Sequence, residues 1–234
     1  MTPAVSRETP PPPPPAAAPG ILGTALDGAI AYAGLLASAG VERGLIGPRE
    51  VPRLWKRHLL NCAVVAPAFA PDASVADIGS GAGLPGLVVA LCRPDLRVTL
   101  VEPMLRRVRF LEEALSSIGL ENIEIVRARA EELHDDRRFD AVTARALAPL
   151  ARLGAWCLPL VRPGGSVLAL KGESATGELA AAFSTLQRLG ATEAHVAIYG
   201  EGVLEVPTRV VVISTGSPPS VVGSASGGDG DADE

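Results

Sequence analysis

The sequence predicts an α/β fold in which helices cover a mostly parallel sheet. From residue 75 onward, short runs of β-branched residues alternate with helical patterns, and a glycine-rich segment joins the first run to a helix. Such alternation predicts parallel strands connected by crossover helices. Hydrophobic residues make up 47% of the chain and aromatic residues only 3%, so we expect an aliphatic core.

Seven strands are expected, and the last two differ from the rest. The first five are predicted near residues 75–78, 97–101, 123–127, 139–143 and 166–170. The runs near 194–199 and 209–214 are joined by a glycine-containing loop that is too short for a helix, so we expect them to pair antiparallel. The sheet therefore ends in an antiparallel hairpin.

Residues 21–70 are predicted to form a helical N-terminal segment ahead of the main domain at 71–216. Apolar residues recur at helical spacing, and Gly47-Pro48 interrupts the pattern. The first helical stripe contains Leu22, Leu26, Ile30 and Leu35. The Pro/Ala-rich stretch 1–20 and the acidic Gly/Ser-rich stretch 217–234 cannot bury enough apolar surface to fold, so both are expected to be disordered.

Composition restricts the classes of function. The net charge is −5, and the last six residues carry four of those negative charges, so an RNA partner is not excluded. The apolar run from Leu84 to Cys92 is too short to cross a bilayer, and the first twenty residues do not read as a secretory signal. We expect a cytoplasmic monomer with no membrane partner.

The three cysteines do not predict a metal site. Cys62, Cys92 and Cys157 are odd in number and widely spaced in apolar stretches, which favours buried thiols over disulfides or metal ligands. We therefore expect no metal.

The segment DIGSGAGLPG, residues 77–86, predicts a cofactor loop. Its glycines allow a ligand close to the backbone, and a helix start at Pro85 would leave free N–H groups facing that ligand. Glu102 lies where it could accept hydrogen bonds from ribose hydroxyls. The spacing of Gly81 and Gly83 fits both a nicotinamide dinucleotide and S-adenosylmethionine, but the terminal hairpin favours a methyltransferase over a dehydrogenase.

Six segments together resemble one known family. They are RHLLNC (57–62), DIGSGAGLPG (77–86), RRVRFL (106–111), ENIEIVRARAEEL (121–133), TARA (143–146) and ALKG (169–172). The chain is similar to the glucose-inhibited-division-B family of bacterial 16S rRNA guanine-N7 methyltransferases. The resemblance implies a Rossmann-like class I methyltransferase fold, S-adenosylmethionine as cofactor, and 16S rRNA or the small ribosomal subunit as partner.

The resemblance also places cofactor contacts. Matching motif to motif implies contacts at Gly79, Leu84, Ala130, Glu131 and Arg145, which add to Gly81, Gly83 and Glu102 of the loop and the second strand. Ala130 and Glu131 would meet the adenine edge, although acidic residues are also common in the first turn of a helix.

N7 methylation of guanine needs no acid–base residue, because N7 already carries an accessible lone pair and alignment can supply most of the catalysis. We therefore expect Arg145 and Lys171, at the ends of the fourth and fifth strands, to position the substrate. Lys171 is as readily interpreted as an ordinary surface lysine.

Basic residues near these motifs are candidates for RNA contact. They are Arg57, His58, Arg106, Arg107 and Arg109. His58 is also consistent with a structural histidine. Two alternatives stay open: a small-molecule methyltransferase on the same fold, which would be expected to have an apolar pocket, and a catalytically silent RNA-binding module, which would not bind S-adenosylmethionine.

Overall fold

Seven strands form a single sheet in the computed structural model, which describes residues 11–216. The strands are β1 Ser74–Ile78, β2 Arg97–Val101, β3 Ile123–Val126, β4 Phe139–Arg145, β5 Val161–Lys171, β6 Ala191–Tyr199 and β7 Thr208–Thr215. Their order across the sheet is β3-β2-β1-β4-β5-β7-β6. The first five strands run parallel, and β7 pairs antiparallel with both β5 and β6.

The predicted fold class and terminal hairpin are therefore confirmed. The largest difference in strand length is at β5, which begins at Val161 rather than near 166. Phe139 pairs with Val161, and a register shift separates this pair from Ala141 and Ser166. An irregularity of this kind lets a strand continue through Pro163 and the two glycines after it.

The described residues form seven α-helices: α1 Ala18–Leu22, α2 Leu26–Leu35, α3 Leu60–Ala63, α4 Gly86–Cys92, α5 Leu105–Ile118, α6 Leu150–Cys157 and α7 Ala175–Arg188. Short 3-10 turns lie at Gly23–Ala25, Pro48–Arg53, Ala66–Ala68, Ala130–Leu133 and Leu158–Leu160, and π-helical turns at Leu36–Gly40 and Leu54–Leu59. The break expected at Gly47-Pro48 is present, because Gly47 is extended and Pro48 opens the next turn.

Each face of the sheet has its own core. Side chains alternate along a strand, so neighbours such as Val210 and Val211 are both fully buried but belong to different clusters. One cluster joins the sheet to the N-terminal segment, α4 and α5, and the other joins it to α6 and α7. The N-terminal segment therefore shares a core with the sheet rather than folding apart from it.

The N-terminal segment differs from its prediction in two details. Ile30 of the predicted stripe is 41% exposed; α2 instead buries Ala29, Tyr32 and Ala33, because small alanines allow close packing. Helix α1 begins at Ala18, before the predicted boundary at residue 20. The expected disorder of residues 1–10 and 217–234 lies outside the described residues.

One helical stretch is long and apolar enough to span a membrane by length and composition alone. It runs from Ala18 to Gly40 with a mean hydropathy of 1.4 in its most apolar part. In this structure the stretch packs against α4 and α5 through residues such as Tyr32 and Leu36. Core helices of soluble proteins pass the same test. The expectation of no membrane partner rested on the shorter apolar run from Leu84 to Cys92 and did not include the stretch from Ala18 to Gly40.

Candidate active site

The glycine loop, residues 79–85, follows β1 at the carboxyl edge of the sheet. Gly79, Gly81 and Gly83 all have positive φ, which favours glycine. Their surroundings differ. A side-chain carbon on Gly81 would approach only the Gly79 carbonyl, at 3.7 Å, whereas one on Gly83 would press against Tyr32 and Leu111 at about 3 Å. Gly81 therefore marks the open side of the loop, and Gly83 its packed side.

Helix α4 begins at Gly86, one residue later than predicted, and its first N–H is not free for a ligand. The Gly86 N–H donates to Asp77 Oδ2 at 2.9 Å, and the Leu87 N–H donates to the Gly83 carbonyl. The expectation that free helix N–H groups face the ligand is thus wrong at these positions, because a buried carboxylate occupies the helix start.

Asp77 is fully buried at the end of β1. Burial raises its pKa to about 7, although the Gly86 N–H acts in the opposite direction. Its second oxygen, Oδ1, is buried without a hydrogen-bond partner among the described residues. The carboxyl group therefore links β1 to the first residue of α4, and burial lets it keep its proton to a higher pH than an exposed aspartate.

Glu102 is buried, with only 1% of its surface accessible. An exposed surface acid would have argued against a ligand role. Oε2 accepts the Gly81 N–H at 3.0 Å, Oε1 accepts the Met104 N–H at 2.9 Å, and Arg107 lies 3.3 Å from Oε2. This carboxylate is held beside the open side of the glycine loop. Oε1 accepts only the Met104 N–H among the hydrogen bonds of the described residues, so it has a second lone pair with which to accept a hydroxyl.

Ala130 and Glu131 lie after β3, next to the end of β2. The Glu102 N–H donates to the Val126 carbonyl at 3.1 Å, which fixes these two strand ends side by side. Ala130 is buried, whereas Glu131 is exposed. The structure thus gathers the expected adenine contacts on the same edge as Glu102, on the β3 side of the loop.

Residues 146–148 cross the carboxyl end of β4. Ala146 has φ of +52°, an uncommon conformation for a residue with a side chain. Leu147 Cδ1 lies 2.5 Å from where a side-chain carbon on Gly79 would be. The Ala148 carbonyl accepts a hydrogen bond from Lys171 at 2.8 Å. This short crossing connects the glycine loop to the end of β5.

Arg145 connects β4 to the N-terminal segment. Its guanidinium donates to the Arg57 carbonyl at 2.9 Å and to His58 Nδ1 at 2.9 Å, and it lies 3.4 Å from the Cys62 sulfur. His58 Nε2 in turn contacts Glu50 Oε2 at 3.0 Å. Because Nδ1 accepts a hydrogen bond from the arginine, the proton of a neutral ring belongs on Nε2.

Both ring nitrogens of His58 have partners within the protein. Burial lowers its pKa, and the charge of Arg145 lowers it further, while the bond to Glu50 acts in the opposite direction. The same bond holds the pKa of Glu50 below its ordinary value. The neutral ring thus links Glu50 to Arg145 through one contact at each ring nitrogen.

Lys171 ends β5 with its side chain only 9% exposed. Its ammonium donates to the Ala148 carbonyl and to Glu178 Oε2, each at 2.8 Å. An ammonium group has three N–H donors, so one remains for another partner. Lys171 is therefore not an ordinary surface lysine.

A cleft of 890 Å³ opens at the carboxyl edge, above β5 and the start of β7. We call it the cationic cleft. Its basic lining consists of Arg53, Lys56, Arg57, Lys171 and Arg209. Apolar groups line it as well, among them Leu60, Leu204 and Val206. Lys56 pairs with Glu205 at 2.8 Å, but both side chains are largely exposed, so the pair restrains them little.

The cleft separates the expected RNA contacts into two groups. Arg57 lines it, whereas Arg106, Arg107 and Arg109 lie on α5 and are not among its lining residues. Arg107 is tied to Glu102, and Arg106 and Arg109 are exposed. Trp55 and Phe110 are at most 3% exposed, so a base could not stack on either ring as they stand.

The cysteines have no ligand-like arrangement. Across residues 11–216, no three His, Cys, Asp or Glu side chains are placed to hold a metal ion. Cys62, Cys92 and Cys157 are free thiols, and burial raises the pKa of each.

Several residues of this edge were not predicted. Arg209 and Asn61 line the cleft, but nothing in the local sequence indicates that they meet. Tyr32 reads as a core aromatic in an apolar helix. Among these residues, only Asp77 has a local signal in the sequence, because it begins the segment DIGSGAGLPG.

Comparison with known proteins identifies relatives along almost the whole chain. Residues 26–206 match the family model described as rRNA small subunit methyltransferase G. The chain is 52% identical over 221 residues to a ribosomal RNA small subunit methyltransferase G from Nocardioides sp., covering 94% of this chain and 88% of the relative. A protein of the same name from Thermobifida fusca is 54% identical over 194 residues, which cover 83% and 82% of the two chains.

Solved structures show the same fold at low sequence identity. A predicted O-methyltransferase from Agrobacterium tumefaciens superposes with a TM-score of 0.53 at 18% identity, covering 67% of this chain and 81% of its own. An S-adenosylmethionine-dependent O-methyltransferase from Thermotoga maritima gives 0.52 at 14% identity, with 68% and 65% coverage. The sheet and its terminal hairpin are therefore those of class I methyltransferases.

Proposed function

This chain belongs to the rRNA small subunit methyltransferase G family, and we propose that it transfers a methyl group from S-adenosylmethionine to N7 of a guanine in 16S rRNA. The main observation behind the proposal is that residues 147 and 148 contact both the glycine loop and the cationic cleft. Leu147 lies over Gly79 of the glycine loop, and the next residue, Ala148, is bonded to Lys171 of the cationic cleft. A cofactor on the loop and a nucleotide in the cleft would thus be neighbours.

The residues of the loop fit the proposed cofactor. Gly81 leaves its side of the loop open, and Glu102 is buried beside it with acceptor capacity for ribose hydroxyls. Ala130 and Glu131 stand on the adenine side. When bound, S-adenosylmethionine supplies an electrophilic sulfonium methyl group. Gly79, Leu84 and Arg145 complete the proposed contacts, with Arg145 acting through the crossing segment that follows it.

The residues of the cleft fit RNA better than a small neutral substrate. Arg57, Lys171 and Arg209 present positive charge to phosphates, and Arg–phosphate pairs are often bidentate. The remaining N–H of Lys171 can donate to a phosphate or to guanine O6. Arg106 and Arg109 on α5 are left as an outer contact surface for the rRNA, on the cofactor side.

The chemistry requires alignment rather than proton transfer. Guanine N7 has a lone pair that attacks the methyl carbon once the two lie about 3–3.5 Å apart in line. Neither Arg145 nor Lys171 needs to lose a proton, so both act as positioning groups. His58, held neutral between Glu50 and Arg145, keeps the guanidinium in place.

The setting of the proposed reaction is the cytoplasm, with the enzyme as a monomer. The apolar helical stretch at residues 18–40 is a core element in this account, because Tyr32 and Leu36 are fully buried against the main domain.

Methyl transfer to rRNA tests the proposal. The protein is incubated with radiolabelled S-adenosylmethionine and small-subunit particles or purified 16S rRNA from a strain that lacks its own enzyme, and the labelled nucleoside is identified after digestion. Label in 7-methylguanosine is the expected result. Label in another nucleoside would contradict the N7 assignment. Cofactor binding without any label in RNA would instead indicate a small-molecule methyltransferase. A protein that does not bind the cofactor would be a catalytically silent RNA-binding module.

A further inference from the structure

Tyr32 belongs to α2 of the N-terminal segment, but its hydroxyl reaches the glycine loop. It donates a hydrogen bond to the Ala82 carbonyl, fifty residues along the chain. The Tyr32 side chain is fully buried, and Ala82 is 8% exposed. The bond therefore joins two buried groups from different parts of the fold, where solvent does not compete for either partner.

A second contact falls on the next residue of the loop. A side-chain carbon on Gly83 would lie 3.0 Å from the Tyr32 hydroxyl oxygen and 3.1 Å from Leu111 Cδ2. The packed side of the loop thus rests on Tyr32 at two consecutive residues. Gly81, on the open side, lacks this packing and is held instead by the hydrogen bond from its N–H to Glu102.

The hydroxyl is a permanent donor. Burial raises the pKa of Tyr32 well above its ordinary value, so the phenol keeps its proton at any physiological pH. The N–H groups of Gly83 and Leu84 both donate to the Ser80 carbonyl, so they hold the turn together but offer nothing to Ala82. Without Tyr32, the Ala82 carbonyl would be a buried acceptor that has lost its partner, which is costly.

We propose that Tyr32 is a positioning residue for cofactor binding: its hydroxyl holds Ala82 and Gly83 so that the open side of the loop keeps the conformation to which the ligand binds. The inference goes beyond the proposed function and takes from it only the identity of the ligand. If the loop spends less time in the competent conformation, the apparent affinity falls by the same fraction.

Tyr32→Phe tests this by removing one oxygen atom and leaving the ring. The dissociation constant for S-adenosylhomocysteine, measured by titration calorimetry, is expected to rise about 5- to 150-fold, the range that corresponds to one unsatisfied buried acceptor. In steady-state assays the KM for S-adenosylmethionine should rise while kcat at saturating cofactor changes little. Ser38→Ala is the matched control. The Ser38 hydroxyl also donates a hydrogen bond to a backbone carbonyl of the N-terminal segment, that of Gly34, at 2.8 Å.

Hydrogen exchange separates positioning from general stability. In Tyr32→Phe, amides of residues 79–87 are expected to exchange faster, while those of β4 and β5 are unchanged. Wild-type affinity in the variant, or a uniform increase in exchange across the sheet, would overturn the inference. A wild-type protein that fails to bind S-adenosylhomocysteine would contradict the proposed function itself, which is a different outcome from an unaltered variant.

Discussion

The two halves of the carboxyl edge are built in different ways. Above β1 and β2, the site consists of a short loop and a buried acid that lie within 26 residues of each other, from Asp77 to Glu102. Above β5 and β7, the cationic cleft joins side chains as far apart as Arg57, Lys171 and Arg209. The first half is backbone geometry fixed by buried polar contacts, and the second is an assembly of basic side chains from distant segments.

The difference teaches where each kind of change should act. Altering the loop half disturbs packing or a specific ligand contact, so its effects should be large and independent of salt. Altering the cleft half removes one charge among several, so its effects should be modest and sensitive to salt. The four predictions below test that division, beginning with the largest effect.

Gly86→Ala is expected to lower the free energy of unfolding by about 2–3 kcal/mol, the upper part of the range seen when a well-packed site is overfilled. A carbon at this position would lie 2.5 Å from Leu100 Cδ2 and 2.7 Å from Asp77 Cβ. Urea denaturation measures the change. Gly177→Ala in α7 is the control, since nothing lies within 4 Å of that position, and it should be neutral or slightly stabilising. Equal stability of the two variants would contradict the tight contact between β1 and α4.

Asp77→Asn is expected to change how stability depends on pH. With a folded pKa of about 7 against an ordinary value of 3.8, the folded protein holds a proton that the unfolded chain has released between those values. Stability of the wild type should therefore fall as pH rises through that window, by about 1.4 kcal/mol for each pH unit. The asparagine variant should lack this decline.

Asp140→Asn provides the control for the pH experiment. Burial would raise the pKa of Asp140, but the bonds from Ser74 and Arg162 outweigh it and hold that pKa at about 2, so its contribution is lost only as pH falls through the acid range. The slope between about pH 5 and 7 should be that of the wild type. A flat wild-type profile in that range would show that Asp77 is ionised when folded.

Glu102→Gln is expected to weaken S-adenosylhomocysteine binding about tenfold, because a charged acceptor for the ribose hydroxyls becomes a neutral one. Binding of 16S rRNA should stay within about twofold of wild type. Calorimetry and filter binding measure the two constants. Glu124→Gln on β3 is the matched control, since Glu124 pairs with Arg137 outside the loop. Unchanged cofactor affinity in the Glu102 variant would show that this carboxylate does not bind the cofactor.

Arg57→Ala is expected to weaken rRNA binding about three- to tenfold and to lower the slope of log affinity against log salt by about 1, as loss of one phosphate contact does. Cofactor affinity should be unchanged. Arg188→Ala at the end of α7 is the control, because this exposed arginine donates a hydrogen bond to Thr185 of its own helix and lies outside the cleft lining. Equal losses in the two variants would mean that the RNA is bound by charge without using the cleft.

The loop half and the cleft half also differ in how much of each could be predicted from the sequence. The strands, the terminal hairpin and the place of Glu102 follow from local patterns, because periodicity and a loop between consecutive elements are short-range features. Arg209 in the cleft and the hydroxyl of Tyr32 on the loop depend on which distant segments meet, and a local pattern has no information about that. Ile30 illustrates the limit within one helix, since an apolar stripe did not reveal that neighbouring alanines would take the buried face.

A crystal structure of the protein with S-adenosylhomocysteine and a short guanosine-containing RNA tests the division most directly. The account predicts the cofactor on the open side of Gly81 with its ribose at Glu102, and the guanine in the cationic cleft with phosphates at Arg57 and Arg209. A cofactor bound in the cationic cleft, or RNA confined to the α5 surface at Arg106 and Arg109, would contradict it.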